Sequence, residues 1–185
     1  NMQRTKDAHH HPHLHCCALQ FWPFERLDAL ILSPGVPLTH PQPHAVVALA
    51  RQHHVPIIGD IELLYQACPK ARYIAITGTN GKSTTTALIA HSLDYAKRAH
   101  QMGGNIGVPA LSLQPLDEEG IYVLELSSYQ LDLVASTAFN VAVWLNISPD
   151  HLDRHGSMEG YLHAKQHIFD RQCRGDVAVI GIEDE

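Results

Sequence analysis

Tyr73-Ile74-Ala75-Ile76-Thr77-Gly78-Thr79-Asn80-Gly81-Lys82-Ser83-Thr84 runs from an apolar stretch, through a turn punctuated by two glycines, into a long apolar-rich segment that reaches Arg98. The order predicts a strand over 73–77, a loop, and a helix from Lys82 to Arg98. Glycines let such a loop turn tightly enough for backbone N–H groups to face an anion, and the following helix adds the partial positive charge of its N-terminus. Lys82 would reach the outer phosphates of a nucleotide and the Ser83 hydroxyl would ligate Mg²⁺. The usual spacing of a phosphate loop is G-x-x-x-x-G-K-[ST]. Here Ile76 occupies the place of the first glycine, so the loop is shortened. Gly78, Thr79, Asn80, Gly81, Lys82, Ser83 and Thr84 are the candidate ATP-binding residues. The competing reading is a plain glycine turn with a helix-capping serine.

Working outward, apolar runs and turn residues alternate. Upstream, strands are expected over 28–32 and 55–58 and helices over 45–53 and 61–67, with the breaker Ser33-Pro34-Gly35-Val36-Pro37 after the first strand. Downstream, strands are expected over 121–126, 141–145 and 177–180 and a helix over 159–171. This alternation belongs to α/β proteins with a parallel sheet. The fold expected is a parallel-sheet, phosphate-loop nucleotide-binding domain over 69–185, preceded by a partial Rossmann-like α/β piece over 27–68, with Pro69 at the boundary. Residues 1–26 carry histidines at 9, 10, 11, 13 and 15, then Cys16-Cys17, without apolar periodicity. They read as a disordered or aberrant terminus, with a metal-binding tract as the alternative.

Composition narrows the function classes. Thirteen Lys and Arg stand against 19 Asp and Glu, a net charge of -6, which favours neither a nucleic-acid partner nor an anionic membrane surface. No apolar run approaches the roughly 20 residues that span a bilayer. The four cysteines form no CxxC pair, so a reducing cytoplasm is the simpler setting.

Ligands of open parallel sheets bind at the carboxyl ends of the strands. Polar residues at those ends are therefore candidates. Glu125 closes the run Ile121-Tyr122-Val123-Leu124, where an unpaired carboxylate is costly to bury and an oxygen ligand suits Mg²⁺; a salt-bridged strand-end glutamate is the alternative. Gly103-Gly104-Asn105-Ile106-Gly107 is a turn with Asn105 as its polar handle. Asn146 to His155 follows the next strand and delivers His151, which in isolation reads as a surface histidine. Lys165 reads as a solvated helix lysine. His155, His163 and His167 have no functional claim.

The shortened loop T-G-T-N-G-K-S resembles that of the Mur ligases and their folylpolyglutamate synthase relatives. The segments GGNIG, E-L-S-S-Y-Q (125–130), N-x-S-x-D-H-x-D-R (146–154) and S-P-G (33–35) agree with it, and the likeness runs from about Leu27 to Glu185. Residues 124–131 are closest to the D-glutamate-adding type. The resemblance implies an ATP-dependent ligase that joins D-glutamate to UDP-N-acetylmuramoyl-L-alanine through an acyl phosphate, in the bacterial cytoplasm and as a monomer. It implies Lys82, Asn105, His151 and Lys165 as catalytic residues, and Ser83, Glu125, His151 and a carbamylated Lys165 as ligands of two Mg²⁺ ions. It further implies Ser33, Pro34, Gly35, Asn105, Ser127 and Gln130 as substrate contacts. Against the family pattern, the first half of the N-terminal domain and the carboxyl-terminal domain are missing. The chain therefore reads as a fragment that binds nucleotide weakly without turnover. A non-catalytic nucleotide-binding module and a His-rich metal-binding protein are the rival readings.

Overall fold

The computed structural model describes residues 13–182; residues 1–12, which hold much of the His-rich tract, and 183–185 lie outside the described residues. Five parallel strands form the main sheet: β3 (Arg72–Thr77), β4 (His100–Gly104), β5 (Ile121–Glu125), β6 (Val141–Trp144) and β7 (Val177–Ile180), in the order β4-β5-β3-β6-β7. Upstream, β1 (Leu30–Ile31) pairs in parallel with β2 (Ile57–Ile58) across helix α1 (Ala45–Gln52), and α2 (Asp60–Ala67) follows. Helix α3 (Lys82–Tyr95) leaves the phosphate loop, and α4 (Ser128–Leu131), α5 (Leu152–His155) and α6 (Met158–Gln166) follow the later strands. The α/β parallel-sheet architecture read from the sequence is the one observed.

Strand periodicity divides the core between two faces. Tyr73, Ala75, Tyr122, Leu124 and Ala142 pack with Leu131, Phe139 and Ile168 on one face; Ile76, Val123 and Val143 pack under Ile89 and Leu93 of α3 on the other. Ile61 and Leu64 of α2 join the first of these clusters. Pro69 is thus a break in the chain but not in the packing, because α2 covers the sheet that follows it.

The sequence reading differs from the structure at identifiable places. Strand β4 was not expected. Its residues, His-Gln-Met-Gly-Gly, have little strand propensity, and the strand survives at the sheet edge through pairing with β5. Helix α3 stops at Tyr95 rather than 98, since Lys97 takes a left-handed backbone with φ 54°. Helix α6 begins at Met158 after the Ser157 cap and ends at Gln166 rather than Arg171. The packed region also starts before Leu27: Phe24 is buried and stacks on His53 with ring centroids 5.7 Å apart.

A buried carboxylate fixes α2 to the loop that precedes β6. Glu62 is fully buried and accepts from the backbone N–H groups of Ala135, Ser136 and Thr137 at 2.9, 3.0 and 3.1 Å, from the Thr137 hydroxyl at 2.7 Å and from the Ser136 hydroxyl. Burial pushes its pKa up, but the donors from Ser136, Ala135 and Thr137 outweigh it and bring the carboxyl down to about 2. A depressed carboxyl stabilises the fold above its unfolded value of 4.5, and that contribution is lost as pH falls toward about 2. Glu62→Ala, which leaves the buried Thr137 amide and its neighbours at 135 and 136 without their acceptor, is expected to destabilise the chain by about 2–4 kcal/mol in urea unfolding at neutral pH.

Candidate active site

The parallel register brings strand ends together. Ile76 of β3 and Gly104 of β4 both lie opposite Glu125, and Thr77 lies opposite Trp144 of β6. The loops that leave β3, β4, β5 and β6 therefore meet at one edge of the sheet. They surround an open cleft of about 240 Å³ lined by Gly78, Lys82, Asn105, Ser127, Ser128, Tyr129, Asp150, His151, Tyr161 and Lys165.

Glu125 anchors this edge. It is only 3% exposed, and each carboxylate oxygen has a donor: the Ser83 hydroxyl to Oε2 at 2.7 Å and the Asn105 side-chain amide to Oε1 at 2.9 Å. The Asn105 backbone N–H donates to the Glu125 carbonyl at 2.8 Å. This close approach demands a glycine before Asn105. Gly104 has φ 100°, and a Cβ there would lie 2.4 Å from the Glu125 carbonyl oxygen. The glycine cluster of the sequence thus aims Asn105 at the carboxylate.

Two lysines converge on the loop. Lys82 Nζ donates to the carbonyls of Gly78 and Thr79 at 3.0 and 2.9 Å. Lys165 Nζ donates to the same Gly78 carbonyl at 2.9 Å and to the Thr77 hydroxyl at 3.2 Å, and lies 4.7 Å from the Tyr161 ring centroid. Lys165 is therefore not the solvated helix lysine of the bottom-up reading: it is 1% exposed. Burial, then the charge of Lys82, pulls its pKa down to about 8. The backbone N–H groups of Thr79 and Asn80 donate to the Asn146 side chain.

His155, for which the sequence offered no role, is the hub of the opposite wall. It is 7% exposed; Nε2 lies 2.9 Å from the Ser128 hydroxyl and Nδ1 3.7 Å from Asp132. Its ring stacks on Tyr129 and packs against Tyr161, both at 5.4 Å between centroids. His151 is more exposed, with φ 52°, beside Asp150 at 3.4 Å and Tyr129 at 5.0 Å.

Residues 76–185 match the Mur ligase middle domain, more than half of the chain. The chain belongs to the Mur ligase family. It is 53% identical over 162 residues to the UDP-N-acetylmuramoylalanine--D-glutamate ligase of Paramagnetospirillum magneticum, covering 88% of this chain and 35% of that protein. It is 55% identical over 163 residues to the Rhodospirillum rubrum protein of the same name, covering 88% of this chain and 34% of that one. The chain spans about a third of the length of these relatives. Among solved structures, the fold is similar to the UDP-N-acetylmuramate:L-alanyl-gamma-D-glutamyl-meso-diaminopimelate ligase of Neisseria meningitides, with a TM-score of 0.57 at 17% identity over 85% of this chain and 53% of that one. It is also similar to Thermotoga maritima MurF ligase in complex with ADP, with a TM-score of 0.51 at 19% identity over 89% of this chain and 48% of that one.

Of the residues expected at a Mur ligase site, Gly78, Lys82, Asn105, Ser127, His151 and Lys165 line the cleft, with Ser83 and Glu125 joined behind it. Gln130 does not line it. It is 5% exposed, completes a capping box with Ser127 and donates to Asp60 at 3.3 Å. The Ser33-Pro34-Gly35 turn lies against α5 instead, where Arg154 donates to the Gly35 and Pro34 carbonyls at 3.2 and 3.5 Å. The family spacing could not reveal His155; its only signal was position, four residues after His151 in a short helix.

Burial, followed by the charges of His151, Lys165, Arg154 and His40, pulls His155 down from 6.5 to about 4. Burial raises Asp132 from 3.8 to about 6, against the charges of His167, His163 and Arg154. The two act in opposite senses. Between about pH 6.5 and 4 the unfolded chain binds more protons at His155, so that contribution is lost on acidification. Between about pH 3.8 and 6 the folded chain binds more at Asp132, so that contribution grows on acidification. They oppose each other in the native chain. Asp132→Asn is expected to expose the histidine: its melting temperature falls more steeply than that of the unaltered chain from pH 6.5 to 4.5.

Proposed function

We propose that this chain carries the nucleotide and acyl-transfer site of an ATP-dependent ligase that joins D-glutamate to UDP-N-acetylmuramoyl-L-alanine, in the cytoplasm of a bacterium. The observation that carries this reading is the buried Glu125 carboxylate, held between Ser83 of the phosphate loop and Asn105. It sets a hard oxygen ligand between a polyphosphate-binding loop and an asparagine that faces the cleft. One carboxylate and one hydroxyl, with room for phosphate oxygens and water, fit Mg²⁺. Among the described residues no three His, Cys, Asp or Glu side chains form a ready-made metal cluster, which suits an ion brought in with nucleotide.

In this reading Ser83 and Glu125 would hold one Mg²⁺, and His151 with a carbamylated Lys165 would hold a second. Bound Mg²⁺ neutralises phosphate charge during transfer. Lys82 turns from its loop carbonyls toward the outer phosphate, adding a fixed positive charge where negative charge spreads. Asn105 orients the acyl substrate. The γ-phosphate passes from ATP to the substrate carboxylate, leaving ADP. The amine of D-glutamate then attacks the acyl carbon, the amide forms, and inorganic phosphate leaves. No protein nucleophile takes part.

The state of Lys165 supports its modification. Only a neutral amine adds carbon dioxide, and a lysine depressed to about 8 supplies far more of that form near neutrality than one at 10.5. Adding a carbamate also replaces the repulsion between Lys82 and Lys165 with attraction. With ¹³C-bicarbonate, a carbamate carbonyl resonance is expected to grow between pH 6.5 and 8.5 and to be lacking in Lys165→Arg. A signal that persists in that variant would contradict the assignment.

The ligase reading is tested by phosphate release from this chain extended at both ends with the matching segments of the Rhodospirillum rubrum relative. Release is expected only when ATP, the muramoyl substrate and D-glutamate are all present, with Lys82→Ala lowering it at least about 10³-fold. Equal release with other amino acids would move the assignment to a sister ligase. Nucleotide binding without release under any combination would favour a non-catalytic module.

A further inference from the structure

The shortened phosphate loop raises a question of backbone accounting. Each loop N–H needs a partner, from nucleotide or protein. Thr79 and Asn80 find theirs in Asn146, which leaves the end of the neighbouring strand β6. Asn146 Oδ1 accepts from the Thr79 N–H at 3.1 Å and the Asn80 N–H at 2.9 Å, and Nδ2 donates to the Asn80 carbonyl at 3.1 Å. The Asn146 backbone carbonyl accepts from the Thr79 N–H at 3.2 Å and from the Trp144 indole at 3.1 Å, so the residue is itself anchored.

Two further observations place the loop on this segment. The Thr79 hydroxyl lies 3.0 Å from the Ser148 N–H, 3.2 Å from the Ser148 carbonyl and 3.3 Å from the Tyr161 hydroxyl. At Gly78, a Cβ would sit 3.2 Å from Leu145 Cβ and 3.4 Å from the Asn146 nitrogen and carbonyl oxygen. A side chain at the first glycine of the loop would thus press on residues 145–146, in addition to the strain of its φ of 155°.

We infer that Asn146 is a positioning residue that stands in for the loop residues missing from the shortened motif. Its side-chain oxygen occupies two amides from outside the loop and holds it open without nucleotide. The later amides, at the start of α3, remain for phosphate. The same lock couples the loop to the segment carrying Asp150 and His151, so that both sides of the cleft share one geometry. This inference rests on the nucleotide-binding reading for its effect on affinity, but not for its effect on the free loop.

The test is amide hydrogen exchange by NMR on the nucleotide-free chain, with an ADP–Mg²⁺ titration beside it, for Asn146→Ala and Asn146→Asp. In Asn146→Ala the Asn80 amide is expected to exchange about tenfold faster. Thr79, which keeps the backbone carbonyl of residue 146, changes less, and Ala75 and Ile76 in β3 are unchanged. ADP affinity falls about tenfold, the cost of ordering the loop on binding. Asn146→Asp keeps both acceptor contacts, so its Asn80 amide stays as slow as in the unaltered chain. Unchanged Asn80 exchange in Asn146→Ala would overturn the lock, as would exchange that quickens equally across β3. Faster exchange at Asn80 alone, in a chain that binds no ADP, would uphold the lock and overturn the nucleotide reading.

Discussion

A carboxylate buried at the end of a central strand must be partnered, and the partners of Glu125 organise the site. Ser83 comes from the loop after β3 and Asn105 from the turn after β4, while Glu125 ends β5 between them. Parallel pairing makes this meeting unavoidable, because neighbouring strands deliver their carboxyl ends to one edge. The residues that line the cleft reach it through that edge or through a helix packed against it. Removing the carboxylate would leave the Ser83 hydroxyl and the Asn105 amide without their shared acceptor.

Three polar side chains then tie the edge to the rest of the fold. Glu62 staples α2 to residues 135–137 behind α4, Asn146 staples the phosphate loop to the end of β6, and His155 joins Ser128 to the aromatic pair Tyr129 and Tyr161. Tyr161 in turn touches Thr79 and lies over Lys165. The wall beside Ser127 and Ser128 and the phosphate loop are thus linked through packed side chains rather than through the sheet alone.

Much of this was legible in the sequence, for physical reasons. Long apolar runs announce buried parallel strands, and a glycine loop before a helix announces an anion site whatever surrounds it. Strand β4 was illegible because His-Gln-Met-Gly-Gly carries no apolar signal; only the neighbouring β5 makes it a strand. Lys165 was misread because a helical lysine gives no local sign of burial, which comes from Thr77, Gly78 and Tyr161, residues distant in the chain or, for the tyrosine, one turn away. His155, Glu62 and Asn146 were missed as structural centres for the same reason: their partners lie far off in sequence, and one sequence holds no record of pairing.

In the proposed function Ser83 and Glu125 form the metal side of a polyphosphate site, and Lys82 leaves its loop to meet the nucleotide. The most direct measurement is a crystal structure of the chain with a non-hydrolysable ATP analogue and Mn²⁺, located by its anomalous scattering. A Mn²⁺ peak within coordination distance of an oxygen of Ser83 or Glu125 is expected, with Lys82 Nζ moved from the Gly78 and Thr79 carbonyls onto the terminal phosphate. Nucleotide bound away from this loop, or Mn²⁺ touching neither side chain, would contradict it.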